Sequence, residues 1–192
     1  MRKIALTGNI ASGKSEVQKI LVSLGYKVLD TDIVGHELLH NNTEVKNAFA
    51  EYDIIENNEI SREKLGKVVF SDEMLLKKLN SIIHPQIKNK IEDFFSANEN
   101  EEKVFVAIPL LFETNMQDMF DEIIFVYADD DLRLKRLMTR NNFDKDYAQK
   151  RIDSQSSQNE KINKSHIIIH NNGSLEDLKE KTYNLFRPAQ RP

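Results

Sequence analysis

Near its start the chain passes from a short apolar run, Lys-Ile-Ala-Leu-Thr, into Gly-Asn-Ile-Ala-Ser-Gly-Lys-Ser, so that Gly8, Gly13, Lys14 and Ser15 fall in the spacing G-x-x-x-x-G-K-S. A loop that cradles phosphate must turn backbone N–H groups inward, and side chains at the closest points would obstruct them. Gly8 and Gly13 permit that turn and that approach. A helix opening at Lys14 adds the positive end of its dipole. Lys14 then reaches the β- and γ-phosphates of a nucleotide, and the Ser15 hydroxyl is a ligand for Mg²⁺. The candidate nucleotide-binding set here is Gly8, Ala11, Ser12, Gly13, Lys14, Ser15 and Glu16. The alternative is a chance match in an ordinary strand–loop–helix, but strand before, helix after and N-terminal position all agree with the motif.

Residues 3–7 read as a buried strand. The helix after the loop carries Val17, Ile20, Leu21 and Leu24 at i, i+3, i+4 and i+7, with Gly25 as its stop. A second strand is expected over 26–30, and three more over 104–108, 123–127 and 166–170. Helical patterns cover about 129–141, 146–158 and 175–186. Short apolar strands alternating with amphipathic helices indicate an α/β fold whose parallel sheet is covered on both faces. Residues 30–103 separate the second and third strands, far more than one crossover helix needs. This stretch has helical signals of its own, such as Ser71, Asp72 and Glu73 ahead of Met74, Leu75, Leu79, Ile82 and Ile83, and is expected to be an inserted helical domain. The core is then 1–29 with 104–192. The tail Arg-Pro-Ala-Gln-Arg-Pro reads as a frayed end.

A chain of 192 residues suits one domain with a sizeable insertion. Its net charge of -4 and pI near 5.8 give no general attraction to nucleic acid, so a bound phosphate needs a local cluster of donors. Without cysteine there are no disulfides or thiolate metal sites. No apolar run approaches the roughly 20 residues that span a bilayer. Met-Arg-Lys leads into a short strand rather than a signal-peptide core. The expected location is cytoplasmic, with small-molecule partners and neither nucleic acid nor membrane.

Switch GTPases, motor ATPases and small-molecule kinases all carry such a loop. A guanine-reading Asn-Lys-x-Asp is missing, since Asn163-Lys164-Ser165-His166 lacks the acid, and Ile108-Pro109-Leu110-Leu111 stands where a hydrolytic motor usually ends its third strand with an acid. Asp32 lies just past the second strand, at the carboxyl end where open parallel sheets bind ligands. It is either a carboxylate that takes the proton of an acceptor hydroxyl or a helix N-cap. Arg133, Arg136 and Arg140 fall at i, i+3 and i+7. They are either a phosphate clamp on a mobile lid or a solvated face.

These residues resemble dephospho-CoA kinases. The similarity runs in order through Ile-Ala-Leu-Thr-Gly-Asn-Ile-Ala-Ser-Gly-Lys-Ser, Val-Leu-Asp-Thr-Asp, Leu-Asn-Ser-Ile-Ile-His-Pro, Ile-Pro-Leu-Leu-Phe-Glu, Arg-Leu-Lys-Arg-Leu-Met-Thr-Arg, Arg-Ile-Asp-Ser-Gln and Ile-Ile-Ile-His-Asn-Asn-Gly-Ser. The resemblance implies a P-loop kinase-like, five-stranded sheet with an inserted CoA-binding domain at 30–103 and a lid at about 129–158. It implies transfer of the ATP γ-phosphoryl group to the 3′-hydroxyl of dephospho-CoA, with Mg²⁺. Catalysis then falls to Asp32, Lys14 and Arg140. Arg136 and Arg140 are placed near the ATP phosphates and Asn172 near adenine. Arg62, His84, Leu110 and Leu111 join Asp32 around the acceptor. The expected state is a monomer or weak homo-oligomer. Two other readings stay open: a nucleoside monophosphate kinase and a nucleotide-dependent switch protein.

The loop departs from the family's usual Gly-Gly-Ile-Gly-Ser-Gly-Lys-Ser-Thr, with Asn9 and Ala11 for two glycines and Glu16 for threonine. Asn tolerates positive φ, Ala adds one methyl, and Glu16 brings an anion toward the α-phosphate. Ser165-His166 stand where Ala-Asp is common. His84-Pro85 reads by itself as a structural pair with Pro85 at a first helical position. Glu113 is a motif member by resemblance, or only a packing or loop-fixing carboxylate.

Overall fold

The computed structural model describes residues 1–187; the end expected to fray lies, from 188 on, outside the described residues. The chain divides into two compact units, one of residues 1–29 with the chain from 98 onward, the other of residues 30–97. The insertion thus closes at 97 rather than 103. The return loop belongs with the sheet because the Arg2 amide bonds the Glu102 carbonyl at 2.8 Å.

The first unit is built on strands β1 (Arg2–Thr7), β2 (Lys27–Asp30), β5 (Lys103–Ala107), β6 (Glu122–Tyr127) and β7 (Ile167–His170), in the spatial order β2-β5-β1-β6-β7. β1 pairs in parallel with β5 (Ile4 opposite Phe105) and with β6 (Leu6 opposite Ile124), and β6 with β7 (Phe125 opposite Ile168). Near-continuous apolar runs are what a sheet covered on both faces requires. Helices α1 (Lys14–Ser23) and α9 (Leu175–Phe186) bury Val17, Leu21, Leu178 and Phe186 against Ile4, Leu6, Phe105 and Ile124. The rings of Tyr26 and Phe186 meet Phe105 edge-on at 5.0 and 5.5 Å.

Helices α6 (Asp130–Asn141), α7 (Lys145–Asp153) and α8 (Gln158–Ile162) follow β6. The helix expected over 146–158 therefore ends at Asp153, and a separate helix begins at Gln158. Ser154 bonds the Arg151 carbonyl through its hydroxyl and Ser157 caps α8 by accepting from the Asn159 amide, so the serine cluster competes with the helix backbone and ends it.

The second unit holds α2 (Thr31–His40), α3 (Thr43–Ala48), a hairpin of β3 (Ile55–Glu56) and β4 (Glu59–Ile60), α4 (Arg62–Phe70) and α5 (Glu73–Ala97). The hairpin turns on Asn57 and Asn58, both at positive φ (49° and 68°), as a two-residue turn of this hand needs. Val45, Phe49, Ile54, Ile60, Leu65, Val69, Leu79 and Ile83 form its core. Pro85 does not open a helix; it lies inside α5. Burial of Leu79, Ile83, Ile91 and Phe95 on both sides of it outweighs the helix bond that Ser81 loses to an imino nitrogen. No helix among the described residues is long and apolar enough to cross a membrane.

Pro85→Ala restores that donor and is expected to stabilise the chain by about 1–3 kcal/mol in urea unfolding; a destabilised variant would mean that α5 is shaped around the proline.

Candidate active site

The sheet unit assembles the loop in a definite sense. β1 delivers Gly8, where a Cβ would lie 2.6 Å from Ser12 Oγ and 2.8 Å from the Val126 carbonyl oxygen. Gly13 has φ 101°, and a Cβ there would collide with Asn171 Nδ2. The other residue of the loop at positive φ is Ala11 (62°). Asn9 is not among the positive-φ positions, so the left-handed step falls on the alanine, at about 1–2 kcal/mol for a residue with a Cβ.

The loop's carbonyls are held on the protein side. Arg133 Nε donates to the Ile10 carbonyl at 3.0 Å, Asn171 Nδ2 to the Ser12 carbonyl at 2.7 Å, and the Ser12 amide to the Asn9 carbonyl at 3.0 Å. In a trans peptide the N–H points opposite to the C=O, so the amides of Ala11 and Gly13 face away from Arg133 and Asn171. No side chain caps α1, leaving the helix N-terminus as an anion site continuous with those amides. Ser12 Oγ, Asn9 Oδ1, Arg133 Nη2 and Arg136 Nη1 are buried without a hydrogen-bond partner among the described residues. Lys14 is partly buried and Ser15 exposed.

The three arginines do not act as one stripe. Arg133 is 1% exposed and bonds Asp130 Oδ1 at 2.7 Å; burial pushes its pKa down against the opposing pull of Asp130. It braces the loop instead of meeting a ligand. Arg136 is half-buried, with Nη2 on the Asn171 carbonyl at 3.1 Å, and burial lowers its pKa too. Arg140 is exposed, with Nε on Asn141 Oδ1 at 2.8 Å. The solvated-face reading fits Arg140 alone.

Asn172 accepts from the Asp129 amide at 2.9 Å. Its neighbour Asn171, buried and in contact with the loop, is the residue that sequence reasoning missed; the Asn-Asn-Gly closing the last strand was the available signal. Glu16 pairs with Lys19 at 2.7 Å. Glu113 receives a 2.6 Å bond from Lys161, whose side chain is buried, and so fixes the turn after β5. Leu110 is exposed. Leu111 is fully buried, which corrects its expected place against a ligand: its side chain belongs to the core.

In the helical unit Asp30 caps α2, its carboxylate accepting from the Asp32 amide at 2.9 Å. Asp32 is therefore the second helical residue, exposed, and the N-cap reading passes to Asp30. Arg62 opens α4 and is exposed. His84 lies half-buried on α5, where burial lowers its pKa.

The model of the dephospho-CoA kinase family matches residues 2–177. The chain belongs to the dephospho-CoA kinase family. It is similar to a dephospho-CoA kinase of Listeria monocytogenes, 38% identical with 95% of this chain and 94% of the relative covered, and to one of Carboxydothermus hydrogenoformans, 38% identical with 96% and 92% covered. Among solved structures it resembles the dephospho-CoA kinase of Campylobacter jejuni, with TM-score 0.76, 32% identity and coverage of 95% and 94%. A Thermus thermophilus protein of known crystal structure has TM-score 0.84, 33% identity and coverage of 96% and 95%.

Measured against the family's usual loop, Glu16 carries its own counter-ion, a surface pair of small energetic weight. Asn9 turns inward, its Nδ2 on the Ser156 carbonyl at 3.0 Å. Gly13→Ala is expected to destabilise the protein by about 2 kcal/mol, through strain at positive φ and displacement of Asn171, and to abolish ATP binding in calorimetric titration. Wild-type affinity in that variant would contradict the loop geometry.

Proposed function

We infer that this chain transfers the γ-phosphoryl group of ATP to the 3′-hydroxyl of dephospho-CoA, giving coenzyme A and ADP. The observation that carries the reading is the family match over residues 2–177; the loop's inward amides supply the nucleotide half. In this reading Lys14 holds the β- and γ-phosphates, with the amides of Ala11 and Gly13 and the α1 N-terminus beside them. Arg136 meets the phosphates through its unpartnered Nη1, and Arg140, exposed in this structure, comes to them when the lid closes. Asn172 stands near adenine.

No group of three His, Cys, Asp or Glu side chains suited to a metal occurs among the described residues. Mg²⁺ keeps most of its waters and arrives with phosphate, and the Ser15 hydroxyl would be its protein ligand. When bound, the ion neutralises charge on the β- and γ-oxygens.

The bond from the γ-phosphorus to its bridging oxygen breaks and a bond to O3′ forms. The hydroxyl proton passes to the Asp32 carboxylate, and ADP leaves. Because the transition state is loose, Asp32 contributes chiefly by aiming the hydroxyl. In this reading residues 30–97 form the acceptor-binding domain, with Arg62 and His84 as its acceptor contacts, and Leu110 is an acceptor contact offered by the sheet unit. The region 129–158 serves as a lid that excludes water, and Arg133 anchors it.

The test is ADP release with ATP and Mg²⁺ in the presence of dephospho-CoA, of AMP and of no acceptor. Release that depends on dephospho-CoA is expected; equal rates in all three contradict the reading. Asp32→Asn is expected to lower kcat by about 10²-fold or more with ATP affinity nearly unchanged, and a wild-type rate in it would remove Asp32 from the chemistry.

A further inference from the structure

The motif Arg-Ile-Asp-Ser-Gln has so far no role beyond lying in the lid region, yet its last residue touches the phosphate loop. We propose that the Ser154–Ser157 connection between α7 and α8 is a strap on that loop, with Gln155 and Asn9 as positioning residues for the nucleotide. The proposal rests on the loop being the ATP site and does not depend on the identity of the acceptor.

Gln155 Oε1 accepts from the Ile10 amide at 2.7 Å. One residue on, the Ser156 carbonyl accepts from Asn9 Nδ2 at 3.0 Å, and Asn9 is 4% exposed. The opposite side of Ile10, its carbonyl, is held by Arg133. Both peptide groups of Ile10 are thereby oriented from outside the loop. The Ile10 and Ala11 side chains also pack on Leu137, Ala148 and Ile152 of α6 and α7.

The consequence for binding follows from peptide planarity. With the Ile10 N–H committed to Gln155 and its C=O to Arg133, the next amide, that of Ala11, has one direction left to it. Without the strap the Ala11 conformation at φ 62° is disfavoured for a residue with a Cβ, and the loop would sample others. An anion would then have to order the loop on binding, which weakens affinity. A carboxamide suits this role because its acceptor oxygen is neutral. A carboxylate would place like charge beside the phosphates. A merely structural Gln155 would satisfy a buried N–H and touch stability alone, so the two roles separate on nucleotide affinity.

Gln155→Met and Asn9→Ala in the full chain test it. The measurements are calorimetric ATP affinity without acceptor, KM for each substrate, and the melting temperature of the free protein. The expected result is a rise in Kd and KM for ATP of about tenfold in Gln155→Met and about threefold in Asn9→Ala, with KM for dephospho-CoA within about twofold of wild type. Unchanged ATP affinity in both variants overturns the proposal, whatever the melting temperatures do. If Gln155→Met does not fold, Asn9→Ala decides by the same criterion. A wild-type protein that binds ATP but makes no coenzyme A would overturn the kinase reading and leave the strap standing.

Discussion

A loop can hold an anion through its backbone only if its carbonyls are turned away and kept there. In this protein two buried donors do that, Arg133 on the Ile10 carbonyl and Asn171 on the Ser12 carbonyl. Everything else in the sheet unit follows from bringing those donors to the loop. Arg133 comes from the helix after β6 and Asn171 from the turn after β7, while the loop leaves β1. Only a parallel sheet with β1, β6 and β7 adjacent delivers all three from the same strand ends. Gly13 lacks a Cβ because Asn171 occupies that space.

Burying a guanidinium is costly unless its donors are used. Arg133 offsets part of the cost with the Ile10 carbonyl on Nε and Asp130 on Nη1, while its Nη2 is buried without a partner among the described residues. Gln158 donates to the same Asp130 oxygen at 2.7 Å and to the Ala128 carbonyl at 3.0 Å. Lys161, on the same short helix as Gln158, ties that helix to Glu113. One hydrogen-bonded chain thus runs from the turn after β5 through α8 and α6 to the phosphate loop. Such networks act as units, so the loop's shape and the placement of the helical arm are set together.

The phosphate loop, the strands and the long insertion were legible in the sequence because each rests on local pattern: fixed spacing, apolar runs, length between strands. What was not legible depended on long-range partners. Arg133, Arg136 and Arg140 look alike on a helical wheel, yet one is core, one half-buried and one solvated, a distinction made by Ile10 and Asn171 far away in sequence. Leu110 and Leu111 likewise differ only in which face the turn after β5 presents. Pro85 read as a helix start because local propensity says so, and the apolar face of α5 overrode it. The Asn57–Asn58 turn carried a local hairpin signal that went unused inside a stretch read as helical. Asn9 and Ala11 looked like blemishes in a glycine loop; the left-handed step lies on Ala11, and Asn9 makes a bond that glycine could not.

The account turns on which backbone amides face the phosphates, and amide-resolved NMR of the labelled protein titrated with MgATP measures that directly. The amides of Ala11, Gly13, Lys14 and Ser15 are expected to shift strongly and gain protection from exchange, while that of Ile10, already bonded to Gln155, moves little. Saturating nucleotide that leaves those four unmoved, or shifts Ile10 most, would contradict it.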